Sequence, residues 1–149
     1  VETYRRIFNE NNALYVIPTF PHVMETLHQL HEQGYTLTIA SSRSNRSLME
    51  FINDMHLNDV IPYVLGAEDV AHAKPHPDPV LQTLDTFGCK AEDALVVGDT
   101  WYDIEMGRRA GVRTCGVTYG NGSREELMRA GADFLVDDFG KLLKLASGK

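Results

Sequence analysis

Short apolar runs alternate with helix-like stretches along the chain, and this alternation narrows the folds that the chain can adopt. The apolar runs include "YTLTIA" at 35–40 and "ALVVG" at 94–98. Between such runs the apolar residues recur at helical spacing, for example at Val23, Leu27 and Leu30. Because the strand candidates are continuous apolar runs, both faces of their sheet should be covered by helices. The sequence therefore predicts an α/β fold with a doubly wound parallel sheet.

The other predicted elements continue this alternation to the end of the chain. Residues 1–13 are predicted to be helical, and Pro18 and Pro21 make the stretch that follows a linker. The remaining helices are predicted at 22–34, 45–55, 79–88, 102–111, 124–131 and after 137, and the remaining strands at 63–66, 112–118 and 133–137. A chain of 149 residues with this pattern is long enough for one domain with a real core.

Composition and charge exclude several kinds of partner. The formal charge of -7 argues against a nucleic-acid partner held mainly through phosphate contacts. No apolar run approaches the roughly 18 residues that a membrane span needs. Cys89 and Cys115 are too few for a disulfide framework, which favours reduced thiols. The sequence therefore predicts a cytoplasmic protein without a nucleic-acid or membrane partner.

Polar side chains follow three of the predicted strands. Ser41 and Ser42 follow the first of these strands, and Lys74 lies in the turn "AKPHPDP" after the second. Asp99 ends the third, with Asp103 in the first turn of the next helix. Ligands of parallel α/β sheets bind beyond the carboxyl ends of the strands, so these side chains should meet in one crevice. Hydroxyl and ammonium groups suit a phosphate ester, and two carboxylates suit a Mg²⁺ ion beside it.

Each of these residues also has a simpler structural explanation. Ser41 alone is more often a turn or N-cap residue, and Lys74 alone is usually a solvated surface residue. Asp99 could cap a helix, and Asp103 could be a first-turn residue that the helix dipole favours. The functional interpretation depends on their joint placement at strand ends.

Three further features near these strand ends are candidates of lower weight. Arg43 could bind a substrate carboxylate, with a solvated position at a helix start as the alternative. His72 and His76 flank Lys74 and could contact substrate, or they are ordinary loop residues. The "GNGS" stretch at 120–123 could hold an anion, although a plain turn is the expected role of a lone Gly-x-Gly.

Three segments resemble, in order, the second, third and fourth motifs of the haloacid dehalogenase-like phosphatase superfamily: "TLTIASSRSN", "AKPHPDP" and "ALVVGDTWYDIEMGRRAGV". Residues 116–145 are similar to the phosphoglycolate phosphatase branch of that superfamily. The resemblance implies a Rossmann-like core and a Mg²⁺ cofactor. It also implies that Ser41, Ser42 and Lys74 bind the phosphoryl group, that Ser41 and Lys74 take part in catalysis, and that Asp99 and Asp103 hold the metal.

The first motif of that superfamily, Asp-x-Asp-x-Thr, does not occur in this sequence. In the family its first Asp becomes an aspartyl-phosphate, and its second protonates the leaving group and then activates water. The resemblance implies that residues 1–17 end a helical cap and its linker, that 18–149 form the core, and that the central first strand is missing. We therefore expect this segment alone to be inactive and unstable, unless an N-terminal segment or another chain completes the sheet.

The leading hypothesis is a Mg²⁺-dependent phosphatase of a small phosphomonoester, with phosphoglycolate as the substrate that the branch resemblance implies. The alternatives are a non-catalytic binding or regulatory derivative and a phosphomutase of the same superfamily. A phospho-accepting receiver domain also places Asp, Ser or Thr, and Lys around Mg²⁺. In receivers the acidic residues come first along the chain and the Lys last, whereas here Ser41 and Lys74 precede Asp99 and Asp103.

Overall fold

The computed structural model describes residues 23–147, in which helices and parallel strands alternate. The helices are α1 Val23–Glu32, α2 Asn45–Asp54, α3 Asp78–Phe87, α4 Trp101–Arg109, α5 Arg124–Ala130 and α6 Leu142–Ser147. The strands are β1 Thr38–Ala40, β2 Tyr63–Leu65, β3 Leu95–Gly98, β4 Arg113–Val117 and β5 Phe134–Val136. The predicted α/β class is confirmed. The helix predicted at 1–13 and the linker after it lie outside the described residues.

Every strand pair in the described part of the chain is parallel. Strands β1 and β2 form one sheet, with Ile39 opposite Val64, and β3, β4 and β5 form a second sheet in that order. The chain divides into two compact units, of which the first holds residues up to Asp69 and from Phe139 onward. The second unit is Val70–Asp138. The predicted site residues are therefore divided between the units, because Ser41, Ser42 and Arg43 belong to the first one.

The first unit is built around a cluster of buried residues on and after α2, namely Ile52, Leu57, Val60 and Ile61. The α2 helix begins after Ser44, whose hydroxyl accepts a hydrogen bond from the Ser47 amide at 3.1 Å. This N-cap satisfies one of the amides that a helix start leaves without a partner. Four residues, 41–44, thus separate the end of β1 from the start of α2, which fixes the length of the turn that carries Ser41.

In the second unit the helices cover one face of the sheet. Val96 of β3 packs with the buried Val80 of α3 and Met106 of α4. Helix α3 has Pro79 in its first turn, where proline costs no hydrogen bond, and Gly88 ends it with φ 61°. Helix α4 follows β3 after only two residues, so the carboxyl end of β3 and the amino end of α4 lie together.

One expectation about the strands is wrong. The β1 strand begins at Thr38 rather than at 35, because the Tyr35 amide still bonds to the Leu30 carbonyl at 3.1 Å and closes α1. Among residues 23–147, Leu95 and Val97 on one face of β3 are 38% and 36% exposed. The helices of its own unit pack on the opposite face, which carries Val96. None of the helices in residues 23–147 combines the length and apolar character that crossing a membrane requires.

Candidate active site

Lys74 and Asp103 form an ion pair in the second unit. Lys74 lies in the turn before α3, and its Nζ is 2.6 Å from Oδ1 of Asp103 in the first turn of α4. The two side chains are only 18% and 9% exposed. Burial alone lowers the pKa of Lys74, but the charge and hydrogen bond of Asp103 more than offset this, so the pKa is raised. Lys74 therefore carries a fixed positive charge at neutral pH.

The second oxygen of Asp103 is held by the start of its own helix. Oδ2 accepts hydrogen bonds from the Thr100 hydroxyl at 2.8 Å and from the Thr100 amide at 3.3 Å. This is the pattern of a capping box, in which the third helical residue reaches back to the N-cap. The structural explanation for Asp103 therefore holds alongside the ion pair, because one carboxylate oxygen caps α4 while the other contacts Lys74.

Gly98 makes room for this carboxylate. A Cβ atom at residue 98 would lie about 2.5 Å from Cγ and 2.6 Å from Oδ2 of Asp103, well inside van der Waals contact. The last residue of β3 must therefore lack a side chain for Asp103 to fold back over the strand end. The apolar run "ALVVG" ends in glycine for this reason.

We predict that Gly98→Ala displaces Asp103 and costs about 1–3 kcal/mol of unfolding free energy, as overpacking usually does. The pKa of Lys74 should then fall, because burial lowers it and the charge of Asp103 no longer offsets this. Denaturant unfolding and an NMR titration of the Lys74 side chain measure both effects. Gly88→Ala is the matched control: its left-handed φ costs stability, but a Cβ there meets no atom within 4 Å. A Lys74 titration that shifts equally in both variants would contradict this role of Gly98.

Asp99 is held by the loop that follows β4. The Asn121 amide donates to Oδ2 of Asp99 at 2.9 Å, and the Gly122 amide donates to the Asp99 carbonyl at 2.7 Å. A Cβ on Gly120 would overlap the Asp99 side chain, and one on Gly122 would overlap its carbonyl. The "GNGS" stretch therefore does more than turn the chain, because the Asn121 amide binds the carboxylate of Asp99 and the Gly122 amide binds its main-chain carbonyl.

The surroundings of Asp99 make its negative charge costly. Burial raises the pKa of Asp99, and the nearby charge of Asp103 adds to this. The Asn121 amide and Lys74 lower the pKa but only partly compensate. Among the described residues, no cationic side chain forms an ion pair with Asp99, since Lys74 contacts Asp103. Two carboxylates and one ammonium group leave this site with a net negative charge. Carboxylate oxygens are also the ligands that a divalent cation such as Mg²⁺ prefers.

The hydroxyl turn after β1 lies in the first unit. The Ser41 hydroxyl accepts a hydrogen bond from the Arg43 amide at 3.1 Å, which is the turn role that a serine at this place commonly has. Ser42 is exposed, and the guanidinium of Arg43 donates to the Ser47 hydroxyl at 3.0 Å through Nε. The proposed phosphate contacts of Ser41 and Ser42, and the substrate contact of Arg43, stay predictions.

Comparison with known proteins places these residues in a family. The sequence profile of the haloacid dehalogenase-like hydrolases matches residues 1–117. The chain belongs to this family. A relative in Dickeya dadantii, "Probable phosphatase IndB", is 36% identical over 159 residues, and a relative in Anoxybacillus flavithermus, "Pyrophosphatase PpaX", is 32% identical over 145 residues. The matches cover 99% and 97% of this haloacid dehalogenase-like hydrolase chain and 67% of each relative.

A solved structure supports the same assignment. It is a predicted phosphoglycolate phosphatase from Haemophilus somnus, with a TM-score of 0.81 and 29% sequence identity. The match covers 86% of this haloacid dehalogenase-like hydrolase but 57% of the solved chain. The chain thus spans little more than half the length of that structure. The resemblance in the strand-end motifs is accordingly confirmed at the level of the family, and the fold with it.

Proposed function

We propose that the protein containing this chain is a Mg²⁺-dependent phosphatase that hydrolyses a small phosphomonoester. The observation that carries the proposal is the buried group at the carboxyl end of β3, where Lys74, Asp99 and Asp103 interact. Such a group has the charges that a phosphate and a divalent cation need on the protein side. The phosphatase names of the relatives support the same reaction class.

The residues of this site divide the work by charge. Lys74 supplies a fixed ammonium that attracts the phosphate and offsets the carboxylate of Asp103. Asp99, held by the Asn121 amide, and Asp103 are the residues that would hold Mg²⁺, directly or through water. Bound Mg²⁺ would supply charge stabilisation on the phosphoryl oxygens. Because both carboxylates are fixed by backbone or hydroxyl donors, little reorganisation would be needed on binding.

The nucleophile is proposed to be an Asp outside this sequence. Its carboxylate would attack phosphorus and release the alcohol, and water would then hydrolyse the aspartyl-phosphate to free phosphate. Ser41 and Ser42 are proposed to bind the phosphoryl oxygens, and Arg43 a carboxylate of the substrate. Among residues 23–147, β3 is an edge strand of its sheet. A further strand, from an N-terminal segment or another chain, could pair with this edge.

The cytoplasm remains the proposed compartment. Cys89 and Cys115 are free thiols, which is the state expected in a reducing environment. Burial raises the pKa of the Cys115 thiol to about 11, so this residue stays uncharged at neutral pH. Its position inside β4 suits a small apolar core residue rather than a reactive one.

An activity assay with two substrates tests the proposal. Phosphoglycolate is the expected substrate, and pyrophosphate is the second candidate because PpaX relatives carry that name. The intact protein should release phosphate from phosphoglycolate in Mg²⁺ and lose this activity in EDTA, with recovery when Mg²⁺ is restored. Preference for pyrophosphate would replace the phosphomonoester with a phosphoanhydride, with phosphate instead of an alcohol as the leaving group, but keep the phosphoryl transfer to an Asp. Isomerisation without phosphate release would favour the phosphomutase, and no turnover of either substrate would favour the non-catalytic derivative.

A further inference from the structure

A separate group of metal-ligating side chains lies at the start of α3. His72, His76 and Asp78 each offer a ligand atom, and these atoms all lie within 4.8 Å of one another. The two imidazole rings stack with their centroids 4.3 Å apart, and each places Nδ1 against the Asp78 carboxylate. Imidazole and carboxylate together are ligands that Zn²⁺ and related transition metals take in proteins.

The contact between His76 and Asp78 has the spacing of two ligands around one ion. Nδ1 of His76 accepts a hydrogen bond from the Asp78 amide at 3.1 Å, so in this arrangement it carries no proton. The same nitrogen lies 3.3 Å from Oδ1 of Asp78. No proton lies between this nitrogen and the carboxylate oxygen, and a metal ion bound to both would replace the amide hydrogen bond at the lone pair of Nδ1. In a tetrahedral zinc site, bonds of about 2.0–2.1 Å put neighbouring ligand atoms roughly 3.3 Å apart.

His72 is the third member of the group and contacts the other carboxylate oxygen of Asp78. Its Nδ1 is 2.7 Å from Oδ2 of Asp78, within hydrogen-bond distance. The His72 ring is largely exposed, so it can exchange this bond for a metal bond without disturbing packed neighbours. The hydrogen bond from His72 also lowers the pKa of Asp78, which keeps that carboxylate charged. The group thus combines two nitrogen donors with one anionic oxygen.

We propose that His72, His76 and Asp78 form a binding site for a Zn²⁺ ion or a similar divalent transition metal, with water as the fourth ligand. The site differs in chemistry from the carboxylates of Asp99 and Asp103, whose oxygen donors suit Mg²⁺. All three ligands come from one stretch, residues 72–78, which also carries Lys74. A bound ion would therefore join the two ends of the turn that presents Lys74 to Asp103.

The test is a calorimetric titration of the intact protein with Zn²⁺ in an excess of Mg²⁺, which occupies sites that prefer oxygen donors. We expect one Zn²⁺ to bind, and His72→Gln and His76→Gln each to weaken binding at least roughly tenfold, since even residues behind a ligand contribute that much. His28 and His31 give the matched control, because they are exposed histidines one turn apart on α1. His28→Gln and His31→Gln should leave the Zn²⁺ affinity unchanged.

Hydrogen exchange gives a second measurement that locates the ion. Zn²⁺ should slow amide exchange in residues 72–78 of the wild type and have no such effect in His72→Gln. An absence of Zn²⁺ binding by the wild type would overturn the proposal, as would equal affinity of the wild type and both histidine variants. Asp78→Asn should also weaken binding, but Asp78 starts α3, so the two histidine variants decide the outcome if that variant unfolds.

Discussion

Replacing Asp99 with Asn is expected to reduce Mg²⁺-dependent hydrolysis by the intact protein by roughly 10³-fold, which corresponds to about 4 kcal/mol of lost transition-state stabilisation. The amide keeps the shape of the side chain but removes the anion that the Asn121 amide holds in place. Steady-state rates at saturating Mg²⁺ measure this loss. Asp54→Asn, which makes the same change at an exposed position of α2, should keep its activity.

In the absence of metal, Asp99→Asn should not lower the thermal stability of the protein, although it lowers the activity. The folded-state pKa of Asp99 is raised above 3.8, so its contribution to stability is fully present below that pH and is lost as the pH rises through the folded-state value. Metal-free Asp99→Asn should therefore melt at or above the temperature of the wild type at neutral pH. Mg²⁺ should raise the melting temperature of the wild type but not of the variant. A variant that retains both activity and the Mg²⁺-induced shift would remove Asp99 from the metal site.

The sequence predicted which residues would stand at the strand ends, because that follows from local patterns. A β-branched run that stops at a glycine and an Asp places Asp99 at the carboxyl end of β3, and the next turn of helix adds Asp103. Which partner each carboxylate finds is not local. Lys74 contacts Asp103 from a turn that is distant in the sequence, and the Asn121 amide contacts Asp99 from the loop after β4.

The least predictable features depend on tertiary packing. The two glycines at 120 and 122 looked like an ordinary turn, and only the approach of Asp99 shows why side chains are excluded there. A metal role for His72 and His76 was not apparent, because the sequence does not show that a third ligand, Asp78, faces both rings. Likewise, continuous apolar runs did not reveal that Leu95 is exposed on one face of β3. Spacing along the sequence predicts which residues are neighbours within one helix or strand. It does not predict which residues of other helices, strands or loops they contact.

The ion pair of Lys74 is expected to show its effect in stability. Lys74→Met would leave the carboxylate of Asp103 buried without a compensating charge, and removing one member of such a pair costs about 3–5 kcal/mol. Urea unfolding of the intact protein at neutral pH measures this loss. Lys90→Met removes an exposed lysine from the turn before β3 and should change the unfolding free energy by less than about 0.5 kcal/mol.

The pH dependence of stability and a double variant distinguish the contribution of the ion pair from that of side-chain packing. The pKa of Lys74 is raised in the folded state, so its contribution is fully present below 10.5 and is lost as the pH rises through the folded-state value. The wild type should therefore lose stability above that pH more steeply than Lys74→Met. Adding Asp103→Asn should restore part of the loss, because Asn is uncharged and can still accept the Thr100 hydrogen bond. If Lys74→Met unfolds at the same urea concentration as the wild type, or if the double variant is no more stable than Lys74→Met, the charge of Asp103 is not compensated by Lys74.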